Sequence, residues 1–397
     1  MRKARGVAVI VGLVALAAGV GVPAAAAKPS SPSTPSAVAT EVQTYNLFFG
    51  ADLRPLFTPG VDPIAAASQV WADMQGSDIP ARARAAAEVI AADQPDLLGL
   101  QEVSTWRSAP AQFTGTEFVP TGPFVTDYDA LALLLGALAD LGTPYQLVVD
   151  NTNFSNETFP LPVLTDTGLR LATFTDRDVI LARSAALHRG QLSLDATQEH
   201  TYQALLTVTV AGQDISVPRG WSAVDVTVRG RTFRFANTHL EAYGIPGTLQ
   251  DQIRNPQAVE LAAALAASPH PVVLVGDINA RPTLCKDARV GQPEYPADQN
   301  IVAYQTLLDA GLAEVWPLVY PKDPCGSAGW TSGQTTLDNA ASTLDHRIDD
   351  VFVSEEFRVL QADVTGDTEA DRTTAGLWPS DHASTWAKIR LNTANAH

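Results

Sequence analysis

Six short segments share one layout, in which a hydrophobic run borders polar residues that can bind a cation or transfer a proton. The segments are Asn46 after QTY, Gln101 and Glu102 after LLGL, NTH at 237–239 after FRFA, GDIN at 276–279 after VVLV, Asp349 and Asp350 before VFVS, and SDH at 380–382 before the last strand-like run. In layered α/β folds the sheet fixes the backbone, and residues at strand ends reach a common crevice. The layout therefore predicts one crevice formed by strand ends.

Between these segments, strand-like and helix-like patterns alternate along the chain. Helical spacing covers residues 79–94, 129–141, 255–267 and 301–311. Strand-like runs at 221–228 and 232–240 flank Arg229 and Gly230, which predict a hairpin. This mixture predicts mixed sheets with helices outside them, and long loops at 104–128, 150–170 and 283–345 that set specificity.

The chain is acidic and large enough to bury a full-sized core. It has 397 residues, 46% of them hydrophobic, and a formal net charge of −17 at pH 7. These figures exclude a chain disordered throughout, a collagen-like repeat and a disulfide-dense miniprotein. They also argue against non-specific nucleic-acid binding, which depends on a wide basic face. A phosphate-bearing ligand would therefore need metal ions or a local arginine cluster.

The N-terminus has the order of a secretory signal peptide. Basic residues within the first five positions precede an apolar run at 7–22 and small residues at 24–27. We expect a signal peptide at 1–27, a Pro/Ser-rich linker at 28–38, and one catalytic domain at 39–397 of an extracellular protein. An uncleaved membrane anchor is the alternative, because an apolar stretch of about 17 residues is at the lower limit for crossing a bilayer.

Export affects the interpretation of the two cysteines. In an oxidising compartment Cys285 and Cys325 are expected to pair, and closing a loop of about 41 residues would stabilise the fold by ~4 kcal/mol. A nucleophilic thiol or a metal thiolate would need partner residues around each cysteine that the sequence does not show.

Each polar segment also has a purely structural interpretation. Glu102 could be the first solvated residue after a strand, Asn46 a turn residue and His239 a partly buried structural histidine. Asp349 could be a strand cap, GDIN an Asx turn, and SDH a helix cap or a loop. The functional interpretation depends on their occurring together.

Taken in order, the segments resemble the motifs of the endonuclease/exonuclease/phosphatase superfamily, which includes pancreatic-type deoxyribonucleases, apurinic endonucleases, sphingomyelinases and inositol-polyphosphate phosphatases. The similar segments are Asn46, LLGLQEV at 97–103, NTHL at 237–240, GDIN at 276–279, RIDDVF at 347–352 and SDH at 380–382. The resemblance implies an α/β (α+β) fold, a four-layer α/β/β/α sandwich of two mixed β-sheets flanked by helices, and Mg²⁺-dependent phosphoester hydrolysis.

The resemblance also implies a metal site and a catalytic set. Asn46, Glu102 and Asp381 match metal-binding positions, with Mg²⁺ as the cofactor and Mn²⁺ or Ca²⁺ as alternatives. The positions that match catalytic residues are His239, Asp277, Asn279, Asp349 and His382.

The family pattern suggests a role for each catalytic position. It implies that Asp277 orients or deprotonates the attacking water and that Asn279 contacts the phosphoryl oxygens. His382 would stabilise the transition state or protonate the leaving group, with Asp349 fixing its tautomer. His239 matches a second site position. The division of acid and base between Asp277 and His382 stays open.

Three groups of residues have two interpretations each. Arg177 and Asp178 could form a surface ion pair or contact substrate. Arg281, Lys286 and Arg289 could attract substrate or only solubilise their loop. Trp316, Trp330 and Trp378 could touch lipid or anchor loops.

We therefore expect a secreted, monomeric, metal-dependent phosphoester hydrolase, with phosphodiesters favoured, that acts by in-line attack of an activated water. A DNase-like extracellular nuclease is an alternative that the charge disfavours, and a membrane lipid headgroup is a further candidate partner. A catalytically inactive extracellular binding module is the alternative from another class. A Ser-His-Asp hydrolase built on Ser380 is excluded, because no Gly-x-Ser-x-Gly motif is present and Ser380 is two residues from His382.

Overall fold

Two mixed β-sheets packed face to face form the centre of the protein in the computed structural model. The structure describes residues 39–58, 60–210, 213–242, 249–285, 299–335 and 341–392. The predicted signal peptide at 1–27 and linker at 28–38 lie outside the described residues.

The strands are β1 (Thr40–Asn46), β2 (Leu97–Gln101), β3 (Thr105–Phe113), β4 (Phe118–Pro120), β5 (Val125–Asp129), β6 (Tyr145–Ser155), β7 (Leu161–Thr165), β8 (Gly168–Arg183), β9 (Ser193–Thr201), β10 (Leu206–Val210), β11 (Gln213–Val217), β12 (Gly220–Val228), β13 (Arg231–His239), β14 (Val272–Asp277), β15 (Ala313–Glu314), β16 (Asp349–Val353), β17 (Phe357–Thr365) and β18 (Ser384–Leu391). The α-helices are α1 (Pro63–Gly76), α2 (Ile79–Asp93), α3 (Ala130–Asp140), α4 (Ser184–His188), α5 (Leu249–Ala266), α6 (Val302–Asp309) and α7 (Val315–Val319). Short 3₁₀ turns occur at Arg54–Phe57, Gln299–Ile301, Ser327–Gly329 and Glu369–Asp371.

Each large sheet contains one parallel pair among antiparallel neighbours. The ten-stranded sheet has the order β17-β18-β1-β2-β8-β3-β4, with β5 paired to β3 and with β6 and β7 paired to β8. The six-stranded sheet has the order β15-β16-β14-β13-β12-β9, and β10 and β11 form a separate two-stranded sheet. The parallel pairs are β1 with β2 and β13 with β14. The predicted mixed sheets are confirmed.

Strand alternation produces the layers. On β2, Leu97 packs between the two sheets, whereas Leu98 and Leu100 point to the opposite face and pack against helices. Gly99 faces the other sheet, because a Cβ there would come within 2.5 Å of the Val275 side chain and 2.6 Å of the Asn237 side chain. Any larger residue would force these side chains to move.

Helices cover both outer faces. The core outside the ten-stranded sheet includes Trp71 of α1, Ile90 of α2 and Leu134 of α3. The core outside the six-stranded sheet includes Leu261 of α5 and Leu307 of α6. This arrangement confirms the four-layer α/β/β/α sandwich.

Aspartate caps explain where the first three helices begin. Asp62, Asp78 and Asp129 precede α1, α2 and α3, and each carboxylate accepts a hydrogen bond from a backbone N–H of the first turn. Proline follows closely in α1 and α2, where its missing N–H costs nothing. The helices predicted at 79–94 and 129–141 match α2 and α3 within a few residues.

Other predictions need correction. Residues 104–128 and 150–170 are not long loops, because β3 to β5 and parts of β6 and β7 extend the ten-stranded sheet there. β4 and β5 have no buried residue, so no alternation marks them in the sequence. The helix predicted at 255–267 begins earlier, at Leu249. The hairpin is confirmed, with Arg229 and Gly230 both at positive φ.

The predicted disulfide is present. Cys285 and Cys325 are bonded, with their Cα atoms 5.4 Å apart. In the described part of the chain, no helix has both the length and the hydropathy needed to span a bilayer.

Candidate active site

The strand-end residues meet at one edge of the sandwich. Asn46 ends β1, and Glu102 directly follows the adjacent parallel strand β2. In the other sheet, His239 and Asp277 end the parallel strands β13 and β14 and lie opposite each other in register. Carboxyl ends of parallel strands lie at the same edge of a sheet, so the two sheets contribute these residues to one crevice.

Antiparallel strands bring in the remaining motifs by their amino-terminal ends. Asp349 begins β16 and lies opposite Asp277. His382 comes just before β18, and its Nδ1 lies 3.9 Å from the nearer carboxylate oxygen of Asp277. The structure thus brings Asn46, His239, Asp277, Asn279, Asp349 and His382 together.

Asp277 lies at the centre of this group and is almost fully buried. The Asn46 Nδ2 donates to its Oδ2 at 3.1 Å across the two sheets, and the Asn279 backbone N–H donates to its Oδ1 at 3.0 Å. Burial raises the pKa of Asp277 to about 8, with the Asp349 carboxylate as the next contribution. Asp277 can therefore exchange a proton near neutral pH.

His382 is held in its protonated form by carboxylates. Its Nδ1 lies 2.8 Å from Asp349 Oδ2. Burial alone would lower the pKa of His382, but Asp349 and Asp381 outweigh it and hold that pKa well above the ordinary value. The backbone positions the ring, because the His382 N–H donates to Ser380 Oγ, which donates in turn to the Asn46 carbonyl.

His239 has the opposite environment. Arg219 NH1 lies 3.0 Å from His239 Nδ1, and a guanidinium can only donate. Nδ1 therefore accepts, and the proton of the neutral ring is on Nε2, 3.5 Å from Asp277 Oδ2. Burial, Arg219 and His382 lower the pKa of His239 well below its ordinary value. Asp277 thus lies between a cationic and a neutral histidine.

Asp176 and Arg219 are site residues that the sequence did not reveal, whereas Asp178 was one of two residues for which a substrate contact was an alternative. Asp176 accepts from Arg219 NH1 at 3.3 Å, and the fully buried Asp178 accepts from Asn153 Nδ2 at 2.8 Å. The Asp178 Oδ1 lies 3.9 Å from His239 Nδ1. The available sequence signal for this part of the site was the presence of Asp176 and Asp178 just before the apolar run VILA.

Arg177 and Asp178 do not pair with each other. Successive residues of β8 point to opposite faces, so Arg177 binds Asp129 and Asp150 while Asp178 points to the site. The surface ion pair proposed for these two neighbours is wrong.

Glu102 lies beside a cavity of about 830 Å³ that Asp176, Arg219 and Asp381 also line. Its backbone is left-handed, with φ of 55°, and its Oε2 accepts from the Phe49 N–H at 2.6 Å. Burial, followed by the charges of Asp381 and Asp176, raises the pKa of Glu102 to about 7. A strained backbone and crowded carboxylates are typical of functional sites.

The donor set suits a hard divalent cation. Of the predicted metal ligands, Glu102 and Asp381 line the cavity, whereas the Asn46 amide is already bonded to Asp277 and to the Phe48 N–H. Asp277, Asp349 and His382 also place ligand atoms within 4.8 Å of one another, and Asp349 Oδ1 is buried without a partner among the described residues. Carboxylate oxygens favour Mg²⁺, Mn²⁺ or Ca²⁺.

The remaining candidates have structural roles where they are described. Arg281 is buried and donates to the Cys285 carbonyl, while Lys286 and Arg289 lie outside the described residues. Trp316, on α7, and Trp378 are buried, with the guanidinium groups of Arg347 and Arg372 over their rings. Trp330 is partly buried.

Together these features define a four-layer sandwich with acids, amides and two histidines at one edge. The chain belongs to the Endonuclease/Exonuclease/phosphatase family, whose sequence model matches residues 44–382. Members of this family are hydrolases that act on phosphoesters. No curated protein matches the chain in sequence.

Solved structures show the same fold at low sequence identity. An endonuclease/exonuclease/phosphatase family protein from Bacteroides thetaiotaomicron has a TM-score of 0.52 and 18% identity, and the match covers 90% of this chain and 99% of that one. A protein of the same description from Beutenbergia cavernae has a TM-score of 0.50 and 20% identity, covering 90% and 73%. A mannosyl-6-phosphatase from B. thetaiotaomicron has a TM-score of 0.50 and 18% identity, covering 89% and 100%.

Proposed function

We propose that this protein is a secreted, Mg²⁺-dependent phosphodiesterase. The observation that carries the proposal is the placement of Asp277 between His239 and His382, with its Oδ2 3.5 Å from His239 Nε2 and 3.9 Å from His382 Nδ1. Glu102 and Asp381 line a cavity at the same edge. This arrangement offers a proton acceptor, a cationic donor and a cation-binding wall within one crevice.

The residues divide the reaction between them. Asp277 holds the attacking water and accepts its proton, and Asn279 positions the phosphoryl oxygens. His382, kept cationic by Asp349, donates a proton to the leaving oxygen. The neutral His239 directs its Nε2 proton toward Asp277. Glu102 and Asp381 would hold Mg²⁺, which when bound neutralises the charge that develops on the phosphoryl group.

The catalytic test compares four substrates after EDTA treatment and metal restoration: bis-p-nitrophenyl phosphate, p-nitrophenyl phosphate, plasmid DNA and sphingomyelin. We expect Mg²⁺ to restore hydrolysis, with diesters preferred over the monoester. Glu102→Gln should lower kcat at least about a hundredfold, as should Asp277→Asn and His382→Ala. Glu117→Gln, at an exposed position, is the matched control for Glu102→Gln.

The outcomes separate the alternatives. Preferred cleavage of plasmid DNA would replace the proposal with a DNase-like nuclease. Absence of turnover combined with absence of Mg²⁺ binding by calorimetry would favour an inactive extracellular binding module. Full activity in EDTA would contradict metal dependence.

Secretion is part of the proposal, supported by the N-terminal pattern and the disulfide. The test is to express the full chain in a secreting bacterial host and determine the N-terminal residue of the protein in the medium. We expect cleavage near Ala27, and retention of the intact N-terminus in a membrane fraction would favour the anchor instead.

A further inference from the structure

The cavity beside Glu102 has both charged and apolar lining residues. The charged lining residues are Glu102, Asp176, Asp381, Asp52, Glu241, Arg54 and Arg219. The apolar lining comes from the aromatic side chains Phe48, Phe49, Phe57, Phe154 and Phe174, and from Leu206 and Val217. A phosphate bridged by a cation to Glu102 and Asp381 would leave its ester group facing this apolar lining.

The two-stranded sheet of β10 and β11 contributes one wall. Leu206 lies opposite Val217, and Val208 lies opposite Ile215, so these four side chains share one face of the sheet and are partly buried. Thr207 and Ser216, opposite each other on the other face, are exposed. A two-stranded sheet is marginally stable in water unless its apolar face is covered.

This apolar face does not belong to any of the hydrophobic cores formed by the described residues. Leu206 and Val217 line the first cavity, and Ile215 lines a second one of about 610 Å³. The face therefore borders space that a ligand can fill.

The two cavities adjoin at the end of β11, where Val217 lines the first and Pro218 lines the second. Both are lined by Phe154, and the second continues past Phe159 and Leu161 along β11. Phe57 in the first cavity and Phe159 in the second are each 37% exposed. The five residues of β11 span roughly 13 Å. An extended aliphatic chain matches this length, whereas a single nucleobase does not.

We propose that the two cavities form one groove for the aliphatic chain of an amphiphilic phosphodiester whose phosphate lies at the Glu102 end. This inference rests on the proposed function for the position of the phosphate. The groove provides apolar contacts along the chain, and burial of each methylene strengthens binding.

The test measures binding of butyl-, octyl- and dodecylphosphocholine by calorimetry, each below its micelle concentration, in EDTA and in Mg²⁺. Affinity should rise roughly threefold for each added methylene until the groove is filled. Ile215→Asn should weaken dodecylphosphocholine binding at least about tenfold, while leaving butylphosphocholine binding unchanged.

Thr207→Asn is the matched control, because it introduces the same side chain on the exposed face of the neighbouring strand β10, at a residue that lines neither cavity. It should change dodecylphosphocholine affinity less than twofold. Should Ile215→Asn unfold the small sheet, Phe159→Asn tests the far end of the groove on a different segment.

The result separates this inference from the proposed function. Affinity independent of chain length, or equal losses in Ile215→Asn and Thr207→Asn, would overturn the groove even if phosphodiesters are hydrolysed. Chain-length-dependent binding that Ile215→Asn abolishes would support the groove, even if no phosphoester is turned over. Tighter binding of a nucleotide than of dodecylphosphocholine would also overturn it.

Discussion

At the residue scale, Arg219 decides which nitrogen of His239 carries the proton. Replacing it with Met removes the donor to Nδ1 and a positive charge, so His239 can gain a second proton between Asp178 and Asp277. We expect Arg219→Met to raise the pKa of His239 and to lower kcat by about tenfold or more. Long-range ¹H–¹⁵N NMR of the imidazole across pH 5 to 8 reports both the tautomer and the pKa.

Arg219→Lys is the control, because its ammonium group keeps the positive charge and can still donate to Nδ1. It should keep His239 neutral with the proton on Nε2 across the same pH range. An unchanged tautomer and pH profile in Arg219→Met would show that Arg219 does not position the ring.

The sequence located the site residues that directly follow or precede a short apolar run. Arg219 was missed, although it comes just ahead of β12 in the same way as Asp349 and His382 come at or just before the start of β16 and β18. Asp176 and Asp178 have the same position relative to the apolar end of β8. An antiparallel strand has its amino-terminal end at the site edge. Polar residues just before an apolar run therefore indicate a site as well as polar residues just after one do. The predicted roles of the site residues stay predictions until turnover is measured.

At the element scale, Asp93 at the end of α2 connects the helix to the ten-stranded sheet. Its Oδ2 accepts from Gln43 Nε2 and from Thr365 Oγ1, both at 2.8 Å, yet burial raises its pKa to about 6. The folded protein therefore binds a proton here more tightly than the unfolded chain. The stabilisation that comes from this bound proton is fully present below about pH 4 and is lost as the pH rises to about 6. The free energy of unfolding falls over that range by about 3 kcal/mol at most.

Asp93→Asn removes this titration while keeping an oxygen acceptor for the two donors. The stability of the variant relative to the native protein should therefore increase between pH 4 and pH 7, as measured by urea unfolding at each pH. Asp140→Asn, at the exposed end of α3, is the matched control and should show no such trend. A stability difference between Asp93→Asn and the native protein that stays constant from pH 4 to pH 7 would contradict the raised pKa of Asp93.

Elements were predictable where local chemistry marks them. α2 has an aspartate cap, an early proline and an alanine-rich body, so it was found within a residue or two of its observed ends. α1 was not predicted, although it has the same kind of cap. β4 and β5 are held by pairing to β3, and their exposed or partly exposed residues leave no hydrophobic alternation to detect.

At the scale of the whole molecule, the sandwich explains how an acidic chain can build a site for an anion. Both sheets end their parallel pairs at the same edge, and the Asn46 to Asp277 hydrogen bond joins the sheets there. The order of the motifs predicted this topology through the family resemblance. Loop geometry could not be predicted in that way, because contacts such as Arg281 with Cys285 depend on tertiary packing.

The disulfide gives a prediction at this scale. Cys285 lies in the segment after Asn279, Cys325 lies before β16, and 40 positions separate them along the chain. Without the bond the unfolded chain gains the freedom of that loop, so reduction should cost about 3 to 4 kcal/mol of stability. We expect calorimetry of the native protein to show a Tm several degrees lower in dithiothreitol, with activity at 25 °C retained, because no catalytic residue lies in the bond itself.

The double variant Cys285→Ser, Cys325→Ser isolates the effect of the bond from that of the reductant. Its Tm should equal that of the reduced protein and should not respond to dithiothreitol. A native Tm that is insensitive to reduction, once thiol titration shows that the bond has opened, would mean that packing holds this segment. Arg281 and Arg347 are then the residues to replace next, because Arg281 donates to the Cys285 carbonyl and Arg347 donates to the Pro324 carbonyl beside Cys325.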